Sequence, residues 1–232
     1  MLRRLLVVAG LAATSLVVIP SNSLLLALER PAWPDTPEMR LAALALIQTL
    51  NANLLANPSA TATLDRWCSD HHLAPSGATI VADRVAGAAK PADAETLKLL
   101  QAAPGETIAY RRVRLTCGTR VLSEADNWYF PSRLTDAMNQ ELATTNTSFG
   151  RVVRPLGFSR KTIEATLLWQ PLPESWAMQP ATAAPASAAA LAMPDYLLRH
   201  KAVLVSADGR PFSVVAENYT RDVLAFPPPA LP

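Results

Sequence analysis

The chain has 232 residues, of which 50% are hydrophobic and 17% are charged, and its 21 basic and 19 acidic side chains leave a formal net charge of +2. This length and composition predict one domain with a single sizeable core. The near balance of charge, without a run of Lys and Arg, gives no reason to expect nucleic acid as a partner.

The N-terminus has the composition of an export segment. Arg3 and Arg4 precede an uncharged stretch from Leu5 to Leu28. Pro20 and the polar residues after it favour a cleaved signal peptide, whereas the uncharged length also suits a membrane anchor. Residues 1–28 therefore predict an exported protein, either periplasmic or anchored in the inner membrane and facing the periplasm, with this segment as its membrane contact.

Two helices and a hairpin are predicted next. Apolar residues recur on one helical face from Thr36 to Asn57, and Ser59 or Thr61 can cap a second helix. A strand over 78–85 and a short helix near 94–101 precede a β-hairpin over 107–130, which turns near Gly118 to Arg120 and is ended by Pro131.

The second half of the chain predicts helices, a strand and another hairpin. Helical stretches follow Thr135, a strand starts near Phe158, and residues 179–194, rich in Ala and Pro, predict a flexible loop. Asp208-Gly209 joins two apolar runs as a hairpin turn, and residues 227–232 form a tail. The expected fold is α+β over residues 36–226, with an antiparallel sheet of about six strands from two hairpins and with N-terminal and inserted helices.

Two cysteines, Cys68 and Cys117, lie far apart in the sequence. In an oxidising compartment they can form a disulfide, and otherwise they are two buried thiols. Both alternatives stay open at this point.

Polar residues interrupt the second strand of the first hairpin. Alternation places Ser123, Ala125 and Asn127 on one face of this strand, and a turn centred on Thr119-Arg120 places Asn127 opposite Arg112. The alternative is that Asn127 and Arg112 are both solvated.

Glu217 follows an apolar run in the last strand. A carboxylate there is either paired with a cation or poised to bind a hydroxyl. The candidate cations are Arg112, Arg114, Arg160 and Arg199.

No motif indicates a metal or an organic cofactor. His71 and His72 are adjacent and diverge by roughly 100° on a helix, so they do not form a metal pair. Phosphate-binding, dinucleotide-binding and nucleophile-elbow motifs are missing from the sequence.

Four stretches nevertheless resemble one family: YRRVRLTCGTRVLSEADNWYFP, TSFGR, GRPFSVVAENYTRDVLAF and NPSATATLDRWC. In their order and spacing they resemble chorismate lyase and, more distantly, the ligand-sensing domain of the same fold (UTRA type) in some bacterial transcription regulators. The resemblance implies an antiparallel sheet with a buried pocket for a small aromatic carboxylate. It also implies elimination of pyruvate from chorismate to leave 4-hydroxybenzoate, without a cofactor.

The resemblance also implies site residues. The Arg that holds a carboxylate falls on Arg112, and the Glu that meets the hydroxyl end falls on Glu217, which makes these two the candidate catalytic residues. Backbone contacts near helix starts fall on Phe149 with Gly150 and on Ala60. Asn127 departs from the family, which usually has a second Arg there.

Three functions follow from the sequence. The first is a chorismate lyase-like enzyme, the second is an exported protein that binds a small aromatic carboxylate without turnover, and the third is a scaffold that acts through an unidentified protein partner. The scaffold predicts that Tyr129 or Phe149 fills the cavity, and a cavity of roughly 300 Å³ would count against it.

Overall fold

The computed structural model describes residues 30–178 and 189–230. The predicted export segment, residues 1–28, lies outside the described residues, as does 179–188 of the predicted loop.

Two long helices open the described chain. Helix α1 spans Pro37–Ala56 and begins where the Thr36 side chain accepts a hydrogen bond from the Met39 amide. Helix α2 spans Ala60–Asp70, and Ser59 caps it in the same way. Helix α1 has the length and hydropathy of a membrane span, but it buries one face in the core of the domain.

The remaining elements form one sheet and three shorter helices. The strands are β1 Val81–Arg84, β2 Ala109–Cys117, β3 Arg120–Tyr129, β4 Ser159–Leu167, β5 Tyr196–Val205 and β6 Pro211–Thr220, and the helices are α3 Ala94–Leu100, α4 Asp136–Thr144 and α5 Phe149–Val152. The strand order is β1-β2-β3-β6-β5-β4, and every neighbouring pair is antiparallel. This confirms the predicted α+β fold, in which the two hairpins form the four central strands.

Helices cover both faces of the sheet. On the face called inner here, α1 and α2 bury Ile47 and Leu64 in the largest core cluster, while α4 and α5 pack beside them against the other end of the sheet. On the outer face, Leu100 of α3 packs with Trp128 of β3 and Val214 of β6. The alternating strand residues therefore point into two separate environments.

Residues 189–194, the part of the predicted flexible loop over 179–194 that the structure describes, contact the rest of the domain. The Leu191 side chain is buried, and its amide donates to the Trp33 carbonyl at 2.7 Å. Pro34 and Ala190 form an adjacent bridge. Leu191 is an apolar residue within this Ala- and Pro-rich segment, and its contacts hold residues 189–194 against the chain that precedes α1.

The two cysteines form a disulfide. Cys68 and Cys117 have Cα atoms 6.2 Å apart, and both side chains are buried. The bond joins the last turns of α2 to the end of β2, so it connects the helical layer to the sheet.

Candidate functional site

The register of the first hairpin differs from the sequence prediction. Asn127 pairs with Arg111, and Arg112 pairs with Asp126. Two features shift the register: the turn residues are Gly118 and Thr119, and a bulge interrupts the ladder beyond Leu115. Because side chains alternate between faces, this shift exchanges the faces of the neighbouring arginines.

Arg112 is consequently on the outer face. Its guanidinium contacts Glu124 at 2.9 Å and Asp126 at 3.8 Å. The prediction that Arg112 lies opposite Asn127 and beside Glu217 in a common site is therefore wrong, and Arg111 occupies that place.

A cavity of about 50 Å³, partly open to solvent, lies between the inner face of the sheet and the N-terminal ends of α2 and α5. The structure brings together five of the predicted site residues in its wall: Ala60, Asn127, Phe149, Gly150 and Glu217. The wall also holds polar side chains that the sequence did not assign to the site, among them Arg111 and Ser148, and it includes Arg160, one of the four candidate cations for Glu217.

Arg111 is a buried cation without a carboxylate partner among the described residues. Its side chain donates from Nη2 to the Thr147 carbonyl at 3.1 Å, while its Nε has no partner. Burial, followed by the nearby Arg84, lowers the pKa of Arg111 to about 10. The guanidinium is still charged at neutral pH, so it remains available to an anion.

Two further donors beside the cavity lack acceptors. The Asn127 carbonyl oxygen accepts from Ser213 Oγ at 2.5 Å, and the Asn127 Nδ2 group has no partner. The Ser148 hydroxyl, at the start of α5, is also buried and unpaired. A buried polar group without a partner costs about 1–3 kcal/mol. Such groups clustered at one cavity indicate a place for an acceptor.

Glu217 is engaged rather than free. Its Oε2 accepts from Arg160 Nη2 at 2.6 Å and from the Tyr219 hydroxyl at 3.1 Å. Burial lowers the pKa of Arg160, but Glu217 and Tyr219 outweigh burial and the pKa is raised. Burial, with Glu217, raises the pKa of Tyr219 well above its usual value. Arg160 was one of four candidate cations in the sequence, and only the fold selects it.

His200 extends this polar row along the sheet. It pairs with Glu217 in the register of β5 and β6, and its Nε2 lies 2.8 Å from Asn51 Oδ1 of α1. Burial lowers the pKa of His200 to about 4. The ring is therefore neutral at physiological pH and adds no charge to the site.

The charged side chains that line the cavity have a net positive charge. Arg111 and Arg160 contribute two positive charges and Glu217 contributes one negative charge. Within residues 30–178 and 189–230, no group of three or more His, Cys, Asp or Glu side chains is placed to hold a metal ion. The arrangement is suited to a small anion with an additional hydrogen-bonding group.

This α+β domain was compared with known proteins. No protein-family model matches the chain. The chain is 57% identical over 199 residues to the uncharacterized protein y4mC of Sinorhizobium fredii, and the alignment covers 86% of this chain and 84% of that protein. The chain therefore belongs to the same family as y4mC.

Solved structures similar to this chain include parts of bacterial regulators. The effector domain of PhnF from Mycobacterium smegmatis has a TM-score of 0.42 at 15% identity, covering 71% of this chain and 90% of that one. The ligand-binding domain of a putative GntR-family regulator from Bordetella bronchiseptica has a TM-score of 0.40 at 18% identity, covering 64% and 87%.

A longer bacterial regulator has a similar TM-score. The possible transcriptional regulator YydK from Bacillus subtilis has a TM-score of 0.39 at 15% identity, covering 67% of this chain, and the chain spans 63% of its length. With TM-scores of this size, these likenesses carry no conclusion about function.

Proposed function

We propose that this domain binds a small monocarboxylate, an aromatic acid, in the inner-face cavity. One observation carries the proposal: a buried, charged Arg111 with a free Nε lies at a cavity where the amide of Asn127 and the hydroxyl of Ser148 also lack acceptors. A carboxylate supplies several acceptor sites in one plane and is the group that a guanidinium holds best.

Other features of the cavity support a ligand with two different ends. Oε1 of Glu217 makes no hydrogen bond to any described residue, so it is an acceptor for a hydroxyl. The N-terminus of α2 contributes partial positive charge near Ala60. At Gly150 a Cβ atom would lie 3.4 Å from Ser59 Oγ, so the absence of a side chain lets the starts of α5 and α2 approach closely.

The size of the cavity limits the ligand. A water molecule needs about 10–15 Å³ of such space. The 50 Å³ of the cavity thus holds several waters, far below the roughly 300 Å³ expected of a drug-sized pocket. Phe149 forms part of the wall and packs on Tyr129 with ring centroids 5.2 Å apart. A single-ring acid therefore has to extend from the cavity toward its open side. The small volume of the cavity also remains consistent with the alternative function, a scaffold without a ligand.

A more specific proposal is that the domain also catalyses a reaction on its ligand. A lyase of the chorismate type would release pyruvate and leave 4-hydroxybenzoate. Chorismate carries two carboxylates, whereas the cavity has one positive charge beyond the Arg160–Glu217 pair. Because Arg160 and Tyr219 already hold Glu217, binding without turnover is the form that the site supports better.

We also propose that the domain works outside the cytoplasm. The Cys68–Cys117 disulfide supports this proposal, since such bonds persist in oxidising compartments. Thiol alkylation of the protein from its own cells, before and after reduction, measures the oxidised fraction. A mostly reduced cysteine pair would overturn this part of the proposal.

Native mass spectrometry and calorimetry with the purified protein test the function. We expect 4-hydroxybenzoate to bind with a 1:1 stoichiometry and chorismate to release no pyruvate. Pyruvate release together with bound 4-hydroxybenzoate would establish the lyase. Absence of binding by 4-hydroxybenzoate and other single-ring acids would overturn the proposal and favour the scaffold.

A further inference from the structure

The side chain of Ser213 hydrogen-bonds to the Asn127 amide. Ser213 of β6 is fully buried, and its Oγ lies 2.5 Å from Asn127 Oδ1. Ser213 has no other side-chain hydrogen bond among the described residues. Its hydroxyl therefore donates to the amide carbonyl, and the NH₂ group of Asn127, a residue of the cavity wall, is left as an unpaired donor.

The opposite orientation of the amide is unfavourable. If the Asn127 side chain were reversed, its NH₂ would donate to Ser213 Oγ, but the Ser213 hydroxyl hydrogen and the Asn127 carbonyl would both be left without partners. The observed orientation leaves only the NH₂ group unpaired. A buried hydroxyl without an acceptor is costly, and no solvent reaches Ser213, which is 0% exposed.

We infer that Ser213 is a specificity-determining residue that positions Asn127 as a donor, so that the cavity selects a carboxylate over the matching neutral amide. This inference rests on the proposed function. With Asn127 fixed in this way, the Arg111 guanidinium and the Asn127 NH₂ group offer only donors on their side of the cavity, so an incoming NH₂ group finds no acceptor on either of them.

The test compares two probes of the same shape, 4-hydroxybenzoate and 4-hydroxybenzamide, by calorimetry on the full protein. Wild type is expected to prefer the acid. In Ser213→Ala the amide of Asn127 is released and can turn its carbonyl to the ligand, so the affinity ratio of acid to amide should fall by roughly tenfold. Ser213→Thr keeps the hydroxyl and should keep the ratio.

Ser123→Ala is the matched control. Ser123 is also a fully buried serine, its Oγ has no partner, and it lies outside the cavity wall. Its removal costs packing without touching Asn127, so the affinity ratio should stay as in wild type. A drop in the ratio for both alanine variants would show a general packing effect and overturn the inference.

A second readout needs no variant. The side-chain NH₂ signals of Asn127 in ¹⁵N spectra of wild type should shift when 4-hydroxybenzoate is added, because that group donates to the ligand. Unshifted signals in the presence of bound acid, or an unchanged ratio in Ser213→Ala, would overturn the role of Ser213 and leave the proposed function standing. Failure of wild type to bind the acid would instead refute the proposed function.

Discussion

The two faces of strand β3 carry polar residues for opposite reasons. On the outer face, Glu124 accepts from Arg112 and Asp126 accepts from Tyr110, so the polar groups satisfy one another. On the inner face, the Nδ2 group of Asn127 lies buried without a partner beside the cavity. Polarity alone does not separate a structural network from a ligand site; polar groups that lack partners at the wall of a cavity indicate the ligand site.

The ion pairs of the two faces differ in the same way. The side chains of Arg160 and Glu217 are only 4% and 5% exposed, whereas those of Arg112 and Glu124 are 40% and 18% exposed. A buried charge that loses its partner cannot turn to water, whereas a half-exposed charge can. Four measurements test whether the two faces differ in this way.

The largest effect is expected for the buried pair. Glu217→Gln leaves the Arg160 guanidinium buried without a counter-charge, and the free energy of unfolding should fall by about 3–5 kcal/mol. Glu124→Gln on the outer face should cost about 1 kcal/mol or less, because solvent screens its partners. Urea unfolding of both variants measures the difference, and equal losses would contradict the distinction between the faces.

The buried His200 on the inner face should also affect the pH dependence of the free energy of unfolding. The folded-state pKa of His200, about 4, lies below the usual 6.5, so the unfolded chain takes up the proton first as pH falls. The free energy of unfolding should therefore decrease between pH 6.5 and 4 by up to about 3 kcal/mol from this residue.

His200→Gln should remove that part of the pH dependence, whereas the same change at the exposed His72 should not. The groups nearest His200 electrostatically are Glu217, Arg160 and Glu164, and they are the same in both variants. Unfolding curves at several pH values compare the two. A pH profile that is the same for wild type and His200→Gln would show that the pKa of His200 is the same in the folded and unfolded states, and would contradict the burial of a neutral ring.

Adjacent arginines provide a matched pair for binding. Arg111→Met should weaken the affinity for 4-hydroxybenzoate by roughly 10- to 100-fold, because a charged hydrogen-bond donor is lost from the cavity. Arg112→Met should change the affinity by about twofold or less, because its charge lies on the outer face and is screened. Calorimetry measures the affinity of both variants. A larger loss in Arg112→Met than in Arg111→Met would support the register predicted from the sequence, in which Arg112 lies opposite Asn127.

The smallest effect is expected at Lys90. Its ammonium lies 3.0 Å from Asp126, but the Lys90 side chain is 55% exposed. Lys90→Ala should lower the free energy of unfolding by about 1 kcal/mol or less, and about 1 M salt should abolish the difference from wild type. A loss that persists in high salt would show that packing on the Trp128 ring, 5.1 Å away, contributes more than charge.

Much of the fold follows from local patterns in the sequence. The start of the first helical pattern at Thr36, the Ser59 cap and the Asp208-Gly209 turn are signals from adjacent residues, and each lies where the structure has the expected boundary. Period-two alternation also separated Asn127 from Asp126 correctly. These features need no knowledge of the partner strand.

The site depends on contacts between distant segments, which the sequence does not contain in local form. Arg160 reaches Glu217 only because β4, β5 and β6 are neighbours in the sheet, and four arginines were equivalent before that order was known. Ser148 was missed because its unpaired hydroxyl is visible only after α5 has been placed against the sheet. Arg111 was missed for a different reason, which lies in the hairpin itself.

The bulge in that hairpin has a consequence for comparing related proteins. Thr116 pairs with Val121 and Leu115 pairs with Ser123, so Leu122 is one residue more than the ladder needs. An alignment that matches the cysteine and the proline of this hairpin without a gap assigns the ligand arginine to Arg112. Residues of β3 beyond the bulge lie one position further from the turn than their partners in β2, so functional residues of the two strands are matched by strand register and not by their distance from the turn.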